Sequence, residues 1–180
     1  MIITLCIVVF YLSFVISIFL FGECKRFCNN IESHEKNEIL DLSDELKINI
    51  KEDNLLLVIA HPDDEIMFFG PLIQICTLNG ISLKILCLSN GNYDGKGKIR
   101  TIEMKNSLEK MEISKDSFVI IDSPYLKDGP SIDWDQKVIW KILEQYTLKW
   151  KINKIFTFDE YGISGHKNHK SVHKAVKSYK

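Results

Sequence analysis

Hydrophobic positions along this chain fall into three regimes. From Met1 to Phe21 they run without one charged residue, and from Gly22 to Asp53 they are scattered among clusters of Glu, Asp and Lys. From Asn54 onward, short apolar runs alternate with mixed segments. About 20 apolar residues rising about 1.5 Å each match a hydrocarbon core of about 30 Å, so residues 1–21 predict a transmembrane helix. A cleavable signal peptide is the competing expectation. It calls for a basic start and a small-residue cleavage site, whereas here no Lys or Arg precedes the run and Gly22-Glu23-Cys24 comes after it. The first positive charges, Lys25 and Arg26, lie just after the run and place the rest of the chain in the cytosol. Residues 22–53 read as a polar linker with one short helix, its His34 solvated.

The third regime predicts a domain over residues 54–180. Leu55 to Ala60 is a continuous apolar run, as in a strand buried on both faces. A helix is expected from 65 to 78, stopped by Asn79-Gly80, with Pro71 marking a kink or a late start. Then come a strand over 82–88, a glycine-rich loop over 89–98, a helix over 99–111 and a strand over 118–121. Val138, Ile139, Ile142 and Leu143 have helical spacing within 134–150. A strand over 154–158 and a helix over 168–177 complete the series. Apolar strands alternating with helices imply an α/β, Rossmann-like three-layer fold with a mainly parallel sheet, preceded by one N-terminal transmembrane helix. In such sheets chemistry gathers beyond the carboxyl ends of the strands.

Composition narrows the function classes. With 23 basic and 24 acidic residues there is no basic footprint for nucleic acid. Five cysteines, an odd number without framework spacing, argue against a disulfide scaffold. Cys24 and Cys28 read as ordinary or palmitoylated thiols, and Cys76 and Cys87 as core residues. No feature fixes an oligomeric state.

The loops after the first and fourth strands hold the unusual residues. His61, Asp63 and Asp64 follow the first strand directly, and Gly165-His166-Lys167-Asn168-His169 enters the last helix. One imidazole and one carboxylate from the first cluster, completed by an imidazole from the second, suit zinc in a three-ligand site. The spare carboxylate is then free to act as a general base. Taken singly, an Asp-Asp-Glu run is as well explained by a helix N-terminus, and a loop histidine by exposure. The conjunction of both clusters at one sheet edge carries the reading.

These residues also resemble a known family. Ala60-His61-Pro62-Asp63-Asp64-Glu65 is similar to the signature of the PIG-L/LmbE-like zinc deacetylases. Thr157-Phe158-Asp159 through Gly162-Ile163-Ser164-Gly165-His166, with Asn168-His169, resembles the second signature of the eukaryotic N-acetylglucosaminyl-phosphatidylinositol de-N-acetylase branch. Ser89 to Glu103 resembles its middle loop. The resemblance implies zinc held by His61, Asp64 and His169, with iron(II) or cobalt also acceptable to that donor set. It implies Asp63 as the general base, and His166 as the group that stabilises the tetrahedral intermediate and helps protonate the leaving amine. The substrate implied is a lipid-linked amino sugar, deacetylated in the second step of GPI-anchor synthesis at the endoplasmic reticulum membrane. The catalytic domain would face the cytosol on a single-pass anchor. Arg100, with Lys96 or Lys98 and with Asn92 beside them, would meet the substrate's phosphate; Glu103 would pair with Arg100, and Asp159 would orient a ligating histidine. His173, one turn beyond His169, is expected on the helix surface and outside the ligand set. The family domain continues past its last signature, so the C-terminal part of this one is expected to be shortened. Two alternatives stand beside this reading: a membrane-tethered scaffold subunit without catalysis, and a deacetylase of a soluble amino-sugar conjugate.

Overall fold

Five apolar residues in succession, Leu55 to Ile59, are wholly shielded from solvent and form the centre of the sheet as strand β1 (Asn54–Ile59). The computed structural model describes residues 48–49 and 52–179. The expected transmembrane helix at 1–21 and nearly all of the polar linker lie outside the described residues. Among those described, no helix is long and apolar enough to cross a membrane.

After β1 come α1 (Asp64–Met67), α2 (Gly70–Leu78), β2 (Ser82–Cys87), α3 (Gly97–Lys110), β3 (Phe118–Ile120), α4 (Gln136–Trp150), β4 (Lys154–Phe156) and α5 (Lys167–Ser178). A short turn, Gly162–Gly165, precedes α5. The strands lie in the order β3-β2-β1-β4, and every pair is parallel. β1 registers Asn54 to Ile59 against Ser82 to Cys87, and Leu55 to Leu57 against Lys154 to Phe156. With right-handed crossovers, this order puts α1, α2 and α3 on one face and α4 on the other, giving the expected three layers. On that second face the indole Nε1 of Trp140 on α4 donates to the carbonyl of Ala175 on α5.

The expected elements are present, with shifted edges. The helix predicted over 65–78 is two helices, broken at Phe68-Phe69, and Pro71 sits in the first turn of the second, where its missing N–H costs nothing. Phe68 and Phe69 each set their rings edge-on against Phe158, at 6.2 and 5.4 Å. That packing decides the break. The strand expected over 154–158 ends at Phe156: the Thr157 hydroxyl donates to the Val58 carbonyl of β1, and Phe158 stacks on the ring of His169. Ile139 and Leu143 of α4 are buried, with Val138 and Ile142 half-buried beside them, as their spacing requires. Cys76 and Cys87 are buried free thiols; burial pushes Cys76 up to about 12 and Cys87 upward as well, so both are core residues.

Candidate metal centre and active site

All four strands point their carboxyl ends at the same edge, and the polar loops meet there. The backbone amides of Ala60 and His61, at the end of β1, both donate to Asp64 Oδ2, at 3.1 and 2.7 Å. The chain thereby folds back on itself, and Asp64 is buried with its second oxygen, Oδ1, turned 3.3 Å from His169 Nε2. His61 Nδ1 stands 3.3 Å from the same His169 Nε2 and 3.7 Å from Asp64 Oδ2. Two imidazoles and one carboxylate, from β1's loop and from α5, therefore form one small triangle of groups.

The outer nitrogens of both rings are engaged, which fixes what the inner ones present. His61 Nε2 lies 3.0 Å from Asp128 Oδ1 and 2.9 Å from Asn168 Oδ1. Asn168 is turned by donating from Nδ2 to the Ile132 carbonyl while its Oδ1 takes the Gly129 amide. Both neighbours of Nε2 are therefore acceptors, and His61 carries its proton there. His169 Nδ1 likewise donates to the Gly162 carbonyl at 3.2 Å, with Phe158 stacked on the ring at 4.1 Å. Gly162 adopts a positive φ of 63°, and a Cβ there would lie 3.0 Å from the Cβ of His169. Two imidazole lone pairs and a carboxylate then face a common point.

This arrangement fits a divalent cation. Donors about 2.0–2.1 Å from a tetrahedral zinc ion stand about 3.3–3.4 Å apart, close to the spacings here. Each ligand nitrogen is backed by an acceptor on the other side of its ring, the usual support of a metal-binding histidine. Burial alone would lower His61, but Asp128 and Asp64 raise it above its ordinary value, so the surroundings favour positive charge at that ring. The three imidazoles of His61, His166 and His169 also place one nitrogen each within 4.8 Å of one another. His166, however, caps α5: its Nδ1 accepts from the Asn168 amide at 3.2 Å. A neutral His166 then carries its proton on Nε2, as a donor. Burial and the neighbouring His61 and His169 charges lower it from its ordinary value, which favours that neutral form. Asp64 therefore makes the better third ligand.

Asp63 sits on the rim with φ 116°, a backbone conformation that costs about 1–3 kcal/mol and has to be held. Its amide donates to Glu65 Oε2 at 2.9 Å, and Arg100 Nη2 donates to its Oδ2 at 2.8 Å. Among the described residues Oδ1 has no partner. Burial and Asp64 raise the Asp63 carboxyl from its ordinary value, and Arg100 opposes them. Glu65 is itself buried, its Oε1 meeting the Ser107 hydroxyl at 3.3 Å.

The middle-loop candidates are distributed differently. Arg100 Nη1 donates to the Gly91 carbonyl and to Asp128 Oδ2, and Nη2 to the Pro62 carbonyl and to Asp63. All four terminal N–H groups are engaged within the protein, and Glu103 is not among the partners. Asn92 Oδ1 accepts from the Gly97 amide at the start of α3. Lys98 is exposed beside a groove of about 940 Å³ between α3 and β3 that also takes in Asn90, Ile102 and Asp122. A second cavity of about 430 Å³ has Asn92, Tyr93, Lys127 and Asp128, the His61 partner, in its wall. Asp159 does not reach a histidine; its Oδ1 accepts from the Ile163 amide and shapes the turn before α5. His173 stands outside the triangle as expected, but half-buried rather than on the surface, because its Nδ1 is tied to the Phe158 carbonyl at 2.8 Å.

The sequence pattern gave no role to Asp128, Asn168 or Glu65. Asp128 follows β3, and the rule that singles out the loops after the other three strands applies to this one equally.

The model of the PIG-L family, described as GlcNAc-PI de-N-acetylase, matches residues 56–180. A probable N-acetylglucosaminyl-phosphatidylinositol de-N-acetylase of Schizosaccharomyces pombe is 41% identical over 118 residues, covering 65% of this chain and 48% of its own length. The N-acetylglucosaminyl-phosphatidylinositol de-N-acetylase of Bos taurus is 39% identical over 123 residues, covering 68% of this chain and 49% of its own. The chain thus spans about half the length of the curated relatives it matches. Among solved structures, the N,N'-diacetylchitobiose deacetylase of Pyrococcus horikoshii has a TM-score of 0.51 at 17% identity, over 80% of this chain and 56% of that one. A conserved protein of Thermus thermophilus reaches 0.52 at 21%, over 69% of this chain and 53% of that one. At such identities these two speak for the α/β fold alone. With more than half of its length matched by the family model, the chain belongs to the PIG-L family.

Proposed function

We propose that this chain is a metal-dependent amide hydrolase. It removes the acetyl group from N-acetylglucosaminyl-phosphatidylinositol, releasing acetate and glucosaminyl-phosphatidylinositol, the second step of GPI-anchor synthesis. The observation that carries this is the convergence of His61 Nδ1, Asp64 and His169 Nε2, with Asp63 and His166 on its rim. His61, Asp64 and His169 would hold zinc or a similar ion, which when bound supplies Lewis acidity to a carbonyl and acidifies water.

The protein's own groups complete the chemistry. Asp63, whose Oδ2 accepts from Arg100 Nη2, takes a proton from the attacking water through its open Oδ1. His166 Nε2–H donates to the oxygen that gains charge as the carbonyl carbon becomes tetrahedral. When the C–N bond breaks, the proton held by Asp63 goes to the leaving nitrogen, so acetate and an amine are the products. The buried ligand set excludes bulk water from the metal side, and the exposed Asp63 face admits the amide.

The shape of the surface supports a lipid-linked substrate. Among the described residues, every exposed large hydrophobic side chain except Leu78 and Leu148 lies at the catalytic edge or on the first turns of α3. Tyr93, Tyr125 and Tyr161 project there from the loops after β2, β3 and β4, with Ile99 and Ile102 alongside, and Tyr is favoured where one side is apolar and the other wet. In this reading residues 1–21 anchor the chain in the endoplasmic reticulum membrane with the domain on the cytosolic side, and Lys98 and Asn92 meet the substrate's phosphate. The test is a deacetylation assay on the lipid substrate and on a lipid-free N-acetylglucosaminide, with metal removed and restored. Metal-dependent release of acetate from the lipid substrate is expected. No release from either substrate by a metal-loaded, folded chain would refute the reading.

A further inference from the structure

The most densely bonded ion pair at the catalytic edge is one to which the family signatures assigned no joint role. Asp128 is nearly sealed, its side chain 7% exposed, and it spends its two oxygens in different directions. Oδ1 takes the His61 ring; Oδ2 takes the Tyr93 amide and Arg100 Nη1, each at 3.2 Å. Arg100 then passes from Asp128 to the other side of the site, where Nη2 grips both the Pro62 carbonyl and Asp63 Oδ2, each at 2.8 Å. An unbroken chain of charge-assisted hydrogen bonds therefore runs from the ring of His61 through Asp128 and Arg100 to the carboxylate of Asp63. Its elements come from three different segments.

We infer that Asp128 and Arg100 form a positioning couple, which aims the metal-binding lone pair of His61 and the general base Asp63 together. The inference rests on the reading of His61 as a ligand and Asp63 as the base. The geometry leaves little slack. His61 can present Nδ1 inward only while Nε2 donates outward, and Asn168 Oδ1, which already takes the Gly129 amide, is its one other acceptor among the described residues. Asp63 holds an unfavourable φ; Glu65 Oε2 takes its amide, and Arg100 is the one partner of its carboxylate among the described residues. A planar guanidinium reaches four acceptors at fixed angles; an ammonium in its place cannot. The two halves of the site are thus set by one rigid fork rather than by two independent supports.

The test uses the full chain and reads metal and chemistry separately. Asp128→Asn keeps the size of the side chain but removes the charge, and is expected to lower metal affinity about 10–100-fold, the usual effect of losing a ligand's hydrogen-bond partner. Arg100→Lys is expected to lower kcat at least about tenfold on a lipid-free N-acetylglucosaminide, with KM little changed and Tm within a few degrees of the parent. The double variant should be no worse in metal affinity than Asp128→Asn alone, because the link is already cut. Asp128→Glu, which restores the charge, should recover part of the affinity. If both single variants lose stability but bind cobalt with unchanged affinity and spectrum, the couple is only structural and the inference fails. Multiplying losses in the double variant would likewise overturn it, by showing two independent supports. If the parent binds no metal at all, the ligand reading fails instead, and the two failures are told apart by that measurement.

Discussion

Two loops at the same edge of the sheet, one after β1 and one after β2, both carry segments resembling the family and do different work in the structure. The first, His61 to Glu65, is sunk into the protein except at Asp63 on the rim: His61, Asp64 and Glu65 are 5%, 2% and 2% exposed. Each buried polar group in it is bonded, and the two buried carboxylates fold back onto the amides of their own loop. The second runs largely exposed from Asn92 to Lys96. It contributes mostly backbone, through the Gly91 carbonyl to Arg100 and the Tyr93 amide to Asp128. A polar motif holds chemistry where its groups are buried and mutually satisfied. Where they are exposed, it supports or meets a ligand.

The sharpest way to break this contrast is at the first loop's partner. His169→Ala removes one corner of the triangle without touching either loop, and activity should fall by at least about 1,000-fold together with metal content. Metal retained at parental affinity would place the ligand set elsewhere. Asp63→Ala separates the base from the ligands: kcat should drop about 100- to 10,000-fold while bound metal, measured by mass spectrometry, stays at the parental level. Loss of the metal along with activity would return Asp63 to the ligand set.

How much of this was legible from the chain depends on how local each interaction is. β1 and the cluster after it were visible because an uninterrupted apolar run and its polar end adjoin in sequence. His166 and His169 were visible for the same reason, at the start of a periodic helix. Asp128 was not, because Asp-Gly-Pro reads as turn chemistry and its partner His61 lies far back along the chain. The break near Phe68-Phe69 was half legible, since Pro71 already marked a kink or a late start; the packing of both Phe rings on Phe158, behind His169, was not, because Phe158 lies far along the chain. Arg100 read as a phosphate ligand because a basic residue beyond a glycine-rich loop has that appearance. The acceptors that engage it are brought by three separate segments.

Smaller effects sharpen the second loop's role. Gly91 has φ +69°, and a Cβ on it would stand 2.4 Å from Arg100 Nη1. Gly91→Ala should therefore cost about 1–3 kcal/mol by chemical denaturation and lower kcat by displacing the guanidinium from Asp63. An unchanged kcat would detach the second loop from the first. Lys98→Ala should do least: a rise in KM of about threefold for the phosphate-bearing lipid and none for a lipid-free glycoside. Equal effects on both would deny Lys98 a phosphate contact.

The central claim is that His61, Asp64 and His169 are metal ligands, and metal content tests it most directly. The purified full chain, dialysed against metal-free buffer and analysed by inductively coupled plasma mass spectrometry, should carry about one divalent ion per chain, and His169→Ala should carry essentially none. A folded parent chain devoid of metal, unable to take up zinc, iron(II) or cobalt on addition, would contradict the account.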